Sequence, residues 1–172
     1  MGKLLIIAAV LLVCLSASTA SAQSSAEKDR ASFISNAKLL ERKPFDPNAA
    51  AAREWGFKWL VETDQVSVGI CGGTMKLIPE KKNKFKSELL MQQTFGMGVF
   101  KLENPDQKND DKAAQLAGFE SMLRAYEVMV QENEKARNAD LDALLAKQKN
   151  GELKTTVDSA FDQGKCGSKS GR

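Results

Sequence analysis

The chain has 172 residues, with 25 Lys and Arg against 22 Asp and Glu, a balance too even to favour nucleic acid or an anionic surface as partner. It has no histidine, which excludes Ser-His-Asp hydrolysis, His-ligated zinc and His acid–base catalysis. Neither a Walker-type phosphate loop nor a G-x-G-x-x-G fingerprint occurs, so nucleotide binding has no support.

Residues 1–22 read as a cleaved export signal. Lys3 gives a positive start, Leu4 to Leu15 an apolar run, and Ala20-Ser21-Ala22 an A-x-A cleavage site before Gln23. The run is shorter than the roughly 20 residues of a membrane anchor. Cys14, inside the run and preceded by Val13, fits poorly as a lipoprotein cysteine. The expected location is periplasmic or extracellular, with a signal compatible with a bacterial host and no stable membrane anchor after cleavage.

Residues 23–30 (QSSAEKDR) read as a flexible polar start, and residues 31–166 as a single helical domain. From Ala31 to Arg42, Phe33, Ala37 and Leu40 recur at helical spacing, with Ile34 beside them. Lys43-Pro44-Phe45-Asp46-Pro47 breaks this helix, and Asp46-Pro47 offers an N-cap and a first position to the next, at about 47–63. Ala52, Trp55, Trp59 and Leu60 make one side of it apolar. Such a stripe suits a core, and the Trp55/Trp59 pair also offers an aromatic face to a partner.

The stretch VSVGICGGTM contains G-x-C-x-G, the shape of a nucleophile elbow with cysteine in place of serine. A thiolate in that position needs a histidine base, and there is none. Cys71 is expected instead to pair with Cys166, its one possible partner once the signal is removed. That bond closes a loop of about 95 residues, worth about 4 kcal/mol in loop entropy. Residues 64–77 are expected to form a short helix in which Gly69, Gly72 and Gly73 let another backbone approach. The alternative is a turn at Gly72-Gly73 after an extended Val66-Ser67-Val68.

Pro79-Glu80 opens a further helix through about Lys101, with Lys81, Lys82, Lys84 and Lys86 as a solvated face in its first turns. Leu89, Leu90, Phe95, Val99 and Phe100 are its apolar positions. Residues 94–100 (TFGMGVF) have a strand as their alternative, and are assigned to this helix because no partner strand is evident. The acidic loop from Asp106 to Asp111 fails the calcium register, with Lys108 at the third position and Asp111 at the sixth. Asp110 or Asp111 is therefore expected to cap the next helix, and neither metal nor cofactor is expected.

Over residues 111–136, Leu116, Phe119, Leu123, Tyr126 and Val130 run at helical spacing. Met122 and Met129 widen that face and form a second candidate interaction surface beside a core role. Asn138 restarts a helix carrying Leu141, Leu144 and Leu145, ended by Asn150-Gly151. Leu153, Val157 and Phe161 carry a last helix to Gly164, and residues 167–172 form a mobile tail.

These readings add up to an all-α fold, a compact bundle of five or six helices stapled by one long-range disulfide. With no catalytic set, the expected role is non-enzymatic: an exported protein that binds another protein through Trp55 and Trp59 or through Met122 and Met129. In architecture alone the plan resembles periplasmic acid-stress chaperones and helical immunity proteins, so a chaperone-like or inhibitor-like role is the form expected. Two other expectations stand beside it. A small envelope-glycan hydrolase would need two carboxylates facing each other in a cleft, with Glu62, Glu88, Glu103 and Glu120 as the acids near apolar faces. A carrier of a hydrophobic small molecule would need an enclosed apolar cavity of several hundred Å³.

Overall fold

A computed structural model describes residues 25–79 and 83–167. The export signal read at residues 1–22, Lys81 and Lys82 and the tail from residue 168 lie outside the described residues. Among those described there is no strand. The fold is all-α, as the periodicity predicts, and among the described residues no helix is long and apolar enough to cross a membrane.

Helix α1 covers residues 25–42, so much of the segment read as a polar start is helical. Its Phe33, Ala37 and Leu40 are buried. Helix α2 spans Ala49–Glu62. It begins later than residue 47 because Asp46 builds a turn instead of a cap. The Asp46 carboxylate accepts the Asn48 N–H at 2.9 Å, and its carbonyl accepts the Ala49 N–H at 2.8 Å.

The region 64–77 is not one helix. Residues 63–71 have neither helix nor strand, and only Gly72–Met75 turn helical, as α3. Side chains of other helices serve this backbone in place of its own ladder. Lys101 Nζ donates to the Ser67 carbonyl at 3.0 Å, and Gln115 Nε2 to the Gly69 carbonyl at 2.8 Å. Three glycines within five residues favour this outcome, because each raises the cost of a helix by about 1 kcal/mol.

Helix α4 spans Lys86–Glu103 and includes residues 94–100, as expected from the absence of a partner strand. It starts well after Pro79-Glu80, behind a turn in which the Asn83 side chain accepts the Phe85 N–H at 3.2 Å. Helix α5 spans Asp111–Glu132, and Asp110 caps it by accepting the Ala113 N–H at 2.9 Å. Helices α6 (Ala139–Lys149) and α7 (Leu153–Gln163) complete the bundle, with 3-10 turns at Pro105–Gln107 and Glu134–Ala136. Asn138 caps α6 through the N–H groups of Asp140 and Leu141, and Gly151, at φ 76°, makes the turn between α6 and α7.

The α4–α5 pair is the spine. It is antiparallel, with Lys101 beside Asp111, Gly96 against Gly118 and Gln92 against Ser121. Small residues let it close. A Cβ at Gly118 would lie 2.6 Å from the Gln93 carbonyl, inside any real contact distance. One core lies on each side of this spine. Phe33, Leu40, Ala49, Phe95 and Leu102 join α1 and α2 to α4, while Leu89, Phe119, Tyr126, Leu141 and Val157 join α4 and α5 to α6 and α7.

The disulfide forms between Cys71 and Cys166, with sulfurs 2.06 Å and Cα atoms 5.6 Å apart. Beside it α7 meets α3 backbone to backbone. A Cβ at Gly73 would lie 2.7 Å from the Gly164 Cα. The glycines of the elbow-like motif therefore do admit another backbone, at Gly73, whereas Gly69 and Gly72 have no neighbour where a Cβ would stand.

Candidate interaction groove

Helix α2 turns two faces outward from its axis. Trp59 stacks on Phe33 of α1 with ring centroids 4.7 Å apart, and Trp55 stacks on Trp59 at 6.4 Å. Both tryptophans are half-buried against the α1 core. Phe57 lies off this stripe, and 52% of its surface is exposed. It faces Met91 of α4 across a groove that the two helices form between them.

The groove has two connected ends that share Phe57 and Met91. The first is an apolar concavity of about 190 Å³, walled by Ile70, Cys71 and Met75 and floored by Leu90, Met91 and Met97. Ile70 stands at its edge with 78% of its surface in solvent. Three polar side chains reach this end: Gln93, Thr94 and Gln115. They are already committed within the protein. Gln115 Oε1 accepts from Thr74 Oγ1 at 2.9 Å and from Gln93 Nε2 at 3.3 Å, while Thr94 Oγ1 donates to the Leu90 carbonyl. The polar groups are engaged within the wall, and the surface left to a ligand is aliphatic, thioether and, at Phe57, aromatic.

The second end, about 460 Å³ and open, lies between Arg53, Glu54 and Lys58 of α2 and Ser87 and Glu88 of α4. Burial pulls the Arg53 guanidinium down from its usual range, and the Glu88 carboxylate partly opposes that. Arg53 remains a cation and donates to the Pro44 carbonyl at 2.6 Å. The groove thus runs from an apolar end to one with mixed charge.

A polar cleft of about 260 Å³ lies elsewhere, among α1, α4 and α5, and it gathers Glu41, Glu103 and Glu120. Glu41 is gripped by Arg124 at 2.6 and 3.1 Å and by the Ser121 hydroxyl at 2.6 Å, and Glu103 by Lys38 at 2.6 Å. Glu41 and Glu103 are thus each paired with a cation, and Glu120 lines the same cleft. Glu62 sits at the end of α2, 4.0 Å from Lys58, and Glu88 lies in the groove beside Arg53. Among the described residues no three His, Cys, Asp or Glu converge to hold a metal ion.

The residues singled out from sequence therefore separate. Cys71 and Cys166 are joined, and Cys71 lines the groove. Met122 and Met129 are 0% and 1% exposed, which corrects their reading as an interaction face: α5 is covered by α4, α6 and α7, and both methionines fill its core. Trp55 and Trp59 belong to the opposite side of α2 from Phe57. Sequence reasoning missed Phe57, Ile70 and Met91. The available signal was an aromatic between Gly56 and Lys58, on the charged side of α2, and an isoleucine between Gly69 and Cys71 with no periodic partner.

The chain matches no protein-family model, no curated protein and no solved structure.

Proposed function

We propose that this chain is an exported binding protein that takes an apolar segment of another protein into the groove between α2 and α4. The observation that carries the reading is the groove's own surface: exposed Phe57 and Ile70 over a floor of Leu90, Met91 and Met97. Methionine floors adapt to varied apolar side chains, and an apolar channel between two helices accepts an amphipathic helix. From Ser87 to Met97 the α4 side runs about 15 Å, close to three helical turns of a partner. The export signal and the disulfide suit a protein that works in an oxidising compartment.

The test is fluorescence anisotropy with a labelled amphipathic peptide of leucine and lysine at helical spacing. Wild type is expected to bind it, and Met91→Glu, which sets a carboxylate at the middle of the floor, to weaken binding at least ten-fold, roughly the loss of a central contact. Met91 is only partly buried, so the variant keeps its fold by circular dichroism. A peptide that does not bind, or one that binds Met91→Glu equally well, overturns the reading. Binding of small apolar molecules in place of the peptide would favour a carrier.

A further inference from the structure

We propose that the Cys71–Cys166 disulfide is a positioning element of the groove: it holds the Ile70–Cys71 wall in its binding geometry, so that binding competence depends on the oxidised state. The inference rests on the groove being the binding site.

Four observations carry it. Cys71 itself lines the apolar end, next to Ile70. The wall belongs to residues 63–71, which have no helix or strand of their own. Its backbone is held from outside by Lys101 on Ser67, Gln115 on Gly69 and the disulfide on Cys71. Neither cysteine belongs to the two core clusters, and α7 is anchored independently by Leu153 and Val157. The bond is therefore placed to order a wall, with the helices packed on either side without it.

Its exposure is also asymmetric. Cys71 is 3% exposed, while Cys166 lies partly exposed in the turn after α7, between Lys165 and Gly167, whose φ values are both positive. A dithiol reductant reaches the Cys166 sulfur first. Its thiolate attacks Cys166, Cys71 leaves as a thiolate and takes a proton, and the reductant's second thiol displaces Cys166 in turn. Two electrons and two protons convert the disulfide to two thiols, and the reductant becomes a cyclic disulfide. Cys71 is then released from α7, and the wall around it keeps the hydrogen bonds of Lys101 to Ser67, Gln115 to Gly69, and Thr74 Oγ1 and the Met75 N–H to the Cys71 carbonyl, with no covalent tie to the turn after α7.

The experiment is a double-mutant cycle with the labelled leucine–lysine peptide as probe. Peptide affinity is measured for the wild type and Ile70→Ala, each oxidised and each reduced with dithiothreitol, with Cys71→Ser/Cys166→Ser as a reductant-free counterpart. Reduction is expected to weaken binding roughly five- to ten-fold, with helix content retained. Ile70→Ala is expected to weaken the oxidised protein but to add little once the bond is open, because a disordered wall no longer presents that side chain. A role in stability alone would leave the Ile70→Ala effect equal in both states, and that additivity would overturn the proposal. So would loss of the helices on reduction, which would make the bond a support of the fold. If oxidised wild type does not bind the peptide, the groove reading itself fails. If it binds and reduction changes nothing, the groove stands and the positioning role falls.

Discussion

Tyr126 is the one tyrosine of the chain and is 1% exposed. Its hydroxyl donates to Asp142 Oδ1 at 2.7 Å and accepts the Asn138 N–H at 2.9 Å, which ties α5 to the start of α6. Burial, with the Asp142 carboxylate holding the proton, pushes its pKa up to about 12 from the ordinary 10.0. The folded state thus keeps the proton longer than the unfolded chain does. The stabilisation is whole below about pH 10 and is lost as pH rises from there to about 12. Tyrosinate absorbance reads this group alone, even where lysines titrate. Its midpoint is expected near 12 in the folded protein and near 10 in denaturant; a folded midpoint near 10 would mean the hydroxyl is in water.

At the scale of helices, the α4–α5 crossing depends on absent side chains. Gly118→Ala brings a methyl group to 2.6 Å from the Gln93 carbonyl and 2.7 Å from the Met97 Cγ. The pair must separate, and the expected loss is about 1–3 kcal/mol in chemical denaturation, as for overpacked cores. An unchanged midpoint would show that the crossing has slack. The helices themselves were mostly legible. α5 declares itself through Leu116, Phe119, Leu123 and Tyr126, and its cap through Asp110, because local spacing and capping decide both. The segment 63–71 was not legible as it stands, since distant Lys101 and Gln115 satisfy its backbone. Periodicity also leaves the outer face of a helix unspecified. It found Trp55 and Trp59 but could not say that Phe57 would face Met91, a matter of how α2 lies on α4. For the same reason Met122 and Met129 looked available until α6 and α7 covered them.

Taken whole, the molecule is two cores divided by the α4–α5 spine, with the groove on the α4 side and the disulfide at its edge. Cys71–Cys166 was readable from the cysteine count once Cys14 was assigned to the export signal, because only one pairing was then open. Its place in the groove wall was not, because that depends on where α3 lies against α4. The methionines allow a direct test of the groove, since Met75 and Met91 are partly exposed and Met97 lies at its floor, while Met122 and Met129 do not line it and are fully buried where α5 packs on α6 and α7. The deciding measurement is an NMR titration of carbon-labelled methionine methyl groups with the leucine–lysine peptide. Binding in the groove predicts shifts at Met75, Met91 and Met97 with Met122 and Met129 unmoved. Peptide binding that leaves Met91 unmoved would contradict it.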